Sequence, residues 1–147
     1  MRALVQRVTE AAVAVDGREV ARIGPGLLIL LGVARTDDEA TCDWVADKVE
    51  RLRLFADADG RMDEPVTAGG REILCVSQFT LYGDVRRGTR PSWSAAAPGA
   101  HAEPLYDRFC ARLRAHKGVF GADMAVSSTN DGPVTVLVER EAESPAS

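Results

Sequence analysis

The sequence predicts a single mixed α/β domain, and three observations carry that reading. An Asp-Gly turn lies between two alternating apolar runs, an unbroken apolar run is flanked by glycines, and two apolar stripes recur at helical spacing. Alternation from Ala12 to Val15 meets Asp16-Gly17 and resumes toward Val20 and Ile23, so the chain opens with an antiparallel hairpin. Gly24-Pro25-Gly26 ends it. The following run, Leu27 to Val33, reads as a strand buried on both faces and is the best candidate for the centre of a sheet. Asp37 and Asp38 stand where carboxylates cap a helix and complement its positive end, and Val45, Val49 and Leu52 then follow helical spacing. Glu72 to Val76 reads as a strand running directly into Ser77-Gln78. A second helix is expected to begin near Pro104, since proline suits the first helical turn, with Leu105, Phe109 and Leu113 facing the sheet. Val134 to Val138 is expected as a last strand beginning just after Gly132-Pro133. The domain takes in residues 1–139. Residues 140–147 form a polar tail, frayed from Glu141 to Ser147.

The totals narrow the function classes. A chain of 147 residues suits one domain that buries roughly 70% of the surface its unfolded form exposes, and it needs no covalent staple. With 18 Lys+Arg against 22 Asp+Glu, the formal net charge of −4 is not the footprint of a generic nucleic-acid binder, so any RNA contact is local. Cys42, Cys75 and Cys110 are odd in number, far apart and without a C-x-x-C pair, which argues for reduced, buried thiols over disulfides or zinc. The N-terminus has no signal-peptide pattern, and the longest apolar run falls far short of the ~20 residues a membrane helix needs. These features point to the cytoplasm.

Two segments concentrate uncharged polar groups and backbone beside strands: Ser77-Gln78-Phe79-Thr80-Leu81 and Asn130-Asp131-Gly132-Pro133-Val134-Thr135. The only histidines, His101 and His116, are read as surface residues flanking the second helix. A site here must therefore work through backbone groups and the substrate itself. Each motif also has a plainer reading. Ser77 lacks the G-x-S-x-G elbow and an adjacent base, and Thr80, as a β-branched residue, suits a strand with no catalytic duty. Gly132-Pro133 alone is turn punctuation. Asp57-Ala58-Asp59-Gly60 has its glycine too early for a calcium loop and reads as a turn. Arg86, Arg87 and Arg90 form a basic loop whose planar guanidinium groups suit phosphates, and their place next to Ser77–Leu81 gives them weight.

Val5-Gln6-Arg7-Val8, Ser77 to Leu81, Arg90-Pro91-Ser92, Phe120-Gly121-Ala122-Asp123-Met124 and Asn130 to Thr135, in this order and at these intervals, resemble the D-aminoacyl-tRNA deacylase family from Met1 to about Glu139. The resemblance implies layered sheets covered by the two helices. It also implies a homodimeric cytoplasmic enzyme, without a cofactor or metal, that cleaves the ester joining a D-amino acid to the terminal adenosine of tRNA. Glycyl-tRNA is an implied second substrate, and the active sites lie at the subunit interface. By the same resemblance, Ser77 and Gln78 line the pocket and the Phe79 N–H receives the developing oxyanion. Thr80 matches a position once favoured as a nucleophile, but the preferred picture has the tRNA 2′-hydroxyl assisting water. Gly132-Pro133 is implied to be a cis pair inserted from the partner subunit and held by Arg7. Phe120, Ala122 and Met124 form the pocket wall, and Arg86, Arg87 and Arg90 approach acceptor-end phosphates.

Three departures from the family pattern stand out: the short connection His116–Val119, which shortens or removes an edge strand; Asp63-Glu64-Pro65 in place of an Asn-containing turn; and Trp93 where Phe is expected. Two other readings compete with deacylation. One is a non-catalytic tRNA- or DNA-binding module on the same fold, and the other is a small-molecule esterase using Ser77 or Thr80.

Overall fold

The computed structural model describes residues 1–144. The chain runs β1 (Arg2–Val15), β2 (Arg18–Ile23), β3 (Gly26–Gly32), α1 (Glu39–Arg51), β4 (Arg53–Ala56), β5 (Met62–Pro65) and β6 (Glu72–Ser77). A one-turn 3₁₀ helix (Phe79–Tyr82), α2 (Gly99–Leu113), β7 (His116–Lys117) and β8 (Met124–Glu139) complete it. The main sheet has the order β2-β1-β3-β6-β7, with β8 paired along β1, while β4 and β5 form a separate hairpin. Pairing is antiparallel around β1 and parallel from β3 through β6 to β7, which makes the sheet mixed.

β1 serves two layers. Its first half pairs with β3 and its second half with β2, through the expected Asp16-Gly17 turn, whose φ values of 51° and 75° are those of a two-residue I′ hairpin. The second half folds across the outer face of the sheet, so Val8, Val13 and Ile23 pack on Leu28, Leu74 and Val76. On the inner face, Leu27, Ile29 and Leu31 of β3 and Ile73 and Cys75 of β6 pack on Val45, Val49, Tyr106 and Phe109 of the two helices. Both faces of β3 are thereby covered, which is why its sequence is unbroken apolar rather than alternating. Each such fully buried Leu, Ile or Phe contributes roughly 1.5–3 kcal/mol.

Asp38 caps α1, its carboxylate accepting from the N–H and hydroxyl of Thr41 at 2.8 Å each. Asp37 has a different task from the expected cap. Its buried carboxylate accepts from the Met1 ammonium at 2.8 Å and the Ala34 N–H at 2.7 Å. Across the helix pair, Arg108 and Arg112 meet Asp43 and Asp47, and the Arg108 hydrogen bond holds the Asp43 carboxyl below the usual range. All three cysteines are buried and free. Asp57 closes its turn by accepting from the N–H groups of Asp59 and Arg61.

Three further expectations need correction. α2 starts at Gly99, five residues before Pro104, because the extended Pro98 caps it and Ala97 is anchored to the Val33 carbonyl. Pro104 then sits inside the helix on its solvent face, where water can take up the Ala100 carbonyl that loses its partner. His101 consequently lies within α2, its Nε2 2.7 Å from the Asp37 carbonyl oxygen, rather than flanking the helix. Finally, Gly132-Pro133 does not precede a strand: β8 is continuous from Met124 to Glu139 and carries the pair inside it as a bulge. Gln6 faces Thr135 and Val8 faces Asn130, which leaves Arg7 opposite residues 131–134. The turn chemistry of Asn130 is spent on this bulge, its side chain accepting from the Val134 N–H at 2.9 Å and donating to Thr135 Oγ1 at 3.0 Å.

The short connection before Phe120 leaves β7 as a two-residue edge strand on β6. Of the tail, Arg140 is tied down by backbone bonds to Met1 in both directions and lies over the Trp44 ring. Residues 145–147, within the segment expected to fray, lie outside the described residues.

Candidate active site

β6 delivers Ser77 to the end of the sheet in register with Leu31, and the Gln78 N–H continues the ladder to the Leu31 carbonyl at 2.8 Å. The chain then turns into the 3₁₀ helix, which begins without a side-chain cap. Phe79 and Thr80, as its first two residues, have N–H groups with no acceptor inside the turn. The turn is clamped from below by Arg2, which donates to the Leu81 carbonyl at 2.7 Å and covers the Tyr82 ring at 4.5 Å.

Beside this turn is a cavity of about 360 Å³. Ser77, Gln78 and Phe79 line one side, and Phe120, Ala122 and Met124 line another, so six of the residues singled out in the sequence converge. Phe120 is braced by Tyr106, 5.8 Å away between ring centroids. The rest of the lining was not foreseen: Val33, Val76, Ala97, Gly99, Ala102, Gly121 and Val126. The available signal was the small-residue run Ala95-Ala96-Ala97-Pro98-Gly99-Ala100, since a cavity needs short side chains around it. Because Gly99 opens α2, the positive end of that helix lies at the cavity wall and favours negative charge developing there.

Thr80 does not line the cavity. It is exposed, and its hydroxyl accepts from the Gln78 side-chain amide. Neither histidine reaches the cavity: His101 is engaged with Asp37 and His116 with Glu72. Among the described residues, no group of three or more His, Cys, Asp or Glu is placed to hold a metal ion.

Gly132, Pro133 and Arg7 also lie outside this chain's cavity. The Gly132–Pro133 bond is cis, and Gly132 has a φ of +130°, a conformation that side chains oppose. A Cβ there would also lie 2.9 Å from Val134 Cγ2 and 3.0 Å from Arg7 Nη2. Arg7 spans the bulge, donating from Nε to the Asp131 carbonyl at 3.1 Å and from Nη1 to the Leu54 carbonyl at 2.7 Å. Arg86, Arg87 and Arg90 occupy the exposed loop after the 3₁₀ turn. That loop is pinched by paired backbone bonds between Asp84 and Ser92 at 2.8 and 2.9 Å. Arg86 grips Asp84 and holds its carboxyl down to about 2, whereas Arg87 and Arg90 make no ion pair among the described residues.

A cavity lined by a serine hydroxyl, an amide side chain and the Phe79 backbone, and walled by apolar side chains, is suited to acyl or ester chemistry driven by positioned dipoles. Residues 4–139 match the family described as D-Tyr-tRNA(Tyr) deacylase, and the chain belongs to that family. It is 53% identical over 145 residues to a D-aminoacyl-tRNA deacylase of Dechloromonas aromatica (strain RCB), covering 95% of this chain and 97% of the relative. The relative of the same name in Symbiobacterium thermophilum is 52% identical over 146 residues, covering 96% and 97%. Among solved structures, the c-Myc DNA Unwinding Element Binding Protein superposes with a TM-score of 0.91 at 40% identity, over 97% of this chain and 100% of that one. A structure described as a "probable eukaryotic D-amino acid tRNA deacylase" shares the fold at TM-score 0.76 and 18% identity, over 93% and 97%.

Proposed function

We propose that this protein hydrolyses the ester between a D-amino acid and the terminal adenosine of tRNA, and that it rejects the L-ester. The observation that carries this is the convergence of Ser77, Gln78 and the Phe79 backbone with Phe120, Ala122 and Met124 around one cavity, in a chain of this family. Water adds to the ester carbonyl, assisted by the tRNA 2′-hydroxyl, and the carbonyl oxygen, as it gains charge, is held by the Phe79 N–H. Collapse breaks the bond to the 3′-oxygen, which takes up a proton, releasing tRNA and a free D-amino acid. A single well-aimed donor of this kind is worth about 3–4 kcal/mol. Thr80 is not the nucleophile on this reading, since its hydroxyl is exposed, receives the Gln78 amide and has no base beside it.

The chiral filter is the Gly132-Pro133 pair of a second copy in a homodimer, entering the cavity with its carbonyls toward the α-amino group. Its place outside its own chain's cavity, on a bulge pinned by Arg7, supports this. An L-side chain in the same anchors runs into that backbone. Any D-side chain points away, and glycine, with nothing to clash, is cleaved too. Arg86, Arg87 and Arg90 contact acceptor-end phosphates, the deacylase unit is residues 1–139, and the protein works in the cytoplasm. Among the described residues, no helix is long and apolar enough to cross a membrane.

A second reading, a non-catalytic nucleic-acid-binding module, draws on the similarity to a protein named for binding a DNA element and on the basic loop. Ester release from tRNA charged in parallel with D-Tyr, L-Tyr and glycine separates the two. Loss of D-Tyr and glycine with L-Tyr intact is expected, whereas salt-sensitive tRNA binding with no release of any ester establishes the second reading. Cleavage of a simple nucleotide-free ester would instead indicate a small-molecule esterase.

A further inference from the structure

The chain has only eight aromatic residues, and six of them are accounted for. Phe109 is buried, Phe120 leans on Tyr106, and Trp44, Phe55, Tyr82 and Tyr106 each lie under an Arg or Lys. The remaining two, Phe79 and Trp93, have only each other, edge to face with centroids 5.2 Å apart. They are 54% and 42% exposed. No cation covers either ring among the described residues, and in the single chain each ring keeps an open face that a flat ligand could meet.

Their position is specific. Phe79 borders the cavity, and Trp93 stands next to it on the far arm of the pinched loop, seated against the bare Cα of Gly83. A Cβ at Gly83 would come within 2.6 Å of the indole. Between the two arms lie Arg87 and Arg90, without a carboxylate partner among the described residues, and Arg86, which is paired with Asp84. An aromatic surface beside uncompensated arginines is the combination that binds single-stranded nucleic acid, with bases stacking on the rings and cations following the backbone. A purely apolar partner would not account for the arginines.

We propose that Trp93, with the Phe79 ring as its backstop, is a stacking platform for the nucleotide that precedes the terminal adenosine at the single-stranded 3′ end of tRNA. This rests on the deacylase reading for the identity of the RNA. With the terminal nucleoside in the cavity, the next base out meets Trp93, and its phosphate meets Arg87 or Arg90. Trp93 is thus a positioning residue that sets affinity for tRNA over smaller esters.

The test uses two measurements. In a Trp44→Phe background, Trp93 is the sole tryptophan, and its fluorescence is titrated with the trinucleotide CpCpA and with adenosine. Quenching by CpCpA but not by adenosine is expected. Trp93→Ala is then assayed on D-Tyr-tRNA and on D-tyrosyl-adenosine. KM for the tRNA is expected to rise roughly 5- to 150-fold, the range that stacking one base supplies, with kcat retained and the adenosine ester cleaved as before. Trp93→Phe should restore most of the affinity. Absence of CpCpA quenching, an equal loss on both substrates, or dissociation of the dimer in Trp93→Ala would overturn the proposal. If the unmodified protein cleaved neither ester, the deacylase reading would fall, while the quenching result would still decide whether Trp93 stacks on RNA.

Discussion

Arg7→Ala tests stability and stereochemistry together. Arg7 makes two charge-assisted hydrogen bonds, to the carbonyls of Leu54 at 2.7 Å and Asp131 at 3.1 Å, and its side chain is only 15% exposed. Such bonds contribute about 1.5–3 kcal/mol each, with the exposed Asp131 bond at the low end. The 3.5 Å ion pair to the Asp131 carboxylate, itself 51% exposed, adds within about 0–1 kcal/mol. The sum is a loss of about 3–5.5 kcal/mol, or roughly 6–22 °C in Tm for a domain of this size. The bulge carrying Gly132-Pro133 then loses its Arg7 tether and is held by the Asn130 bonds across its base and by the flanking pairs Gln6–Thr135 and Val8–Asn130 on β1. On the proposed filter, relief of even about 1.4 kcal/mol of the clash with an L-side chain raises L-ester cleavage tenfold. Urea unfolding gives the stability change, and ester release from D-Tyr-, L-Tyr- and glycyl-tRNA gives the selectivity, with glycine as the control that feels no clash. A destabilised variant with an unchanged D/L ratio would refute the claim that Arg7 positions the filter.

Three further outcomes are expected. Thr80→Val should retain deacylation within about tenfold of the parent, since removing a true covalent nucleophile costs on the order of a million-fold, and single-turnover kinetics distinguish the two. Tyr106→Phe removes a 2.7 Å bond to the buried Cys75 carbonyl, but that oxygen keeps the Gly118 N–H at 3.2 Å. The cost in urea unfolding should therefore stay near ~1 kcal/mol, and a much larger loss would show that the carbonyl is left unpaired. Burial pushes the Cys42 thiol up to about 12, so the folded state favours the protonated form. Its contribution is full below the ordinary thiol range near 9 and is lost as pH rises toward 12. Iodoacetamide at pH 8.5 should accordingly label Cys42 only after unfolding, and labelling in the native state would contradict this.

Short-range patterns in the sequence were enough for the Asp16-Gly17 hairpin, the two-sided burial of β3, the Asp38 cap and the stripe of Leu105, Phe109 and Leu113, because each depends on neighbours a few residues away. Half of the cavity was legible for another reason: Ser77–Phe79 and Phe120–Met124 are contiguous segments with recognisable family patterns. Tertiary structure decided the rest. α2 begins at Gly99 because Ala97 is anchored to β3, and a long-range bond of that kind overrides the local preference of Pro104 for a first turn. Gly132-Pro133 became a bulge within β8 instead of a strand boundary because β1 continues past it, leaving Arg7 alone opposite four residues. Asp37 left the helix cap for the Met1 ammonium, a partner 36 positions away that no local pattern announces. The small residues around the cavity and the open faces of Phe79 and Trp93 belong to the same class. What a side chain touches across the sheet, and which rings are left without a cover, depend on how distant segments pack, and that information is carried by the whole chain rather than by any window of it.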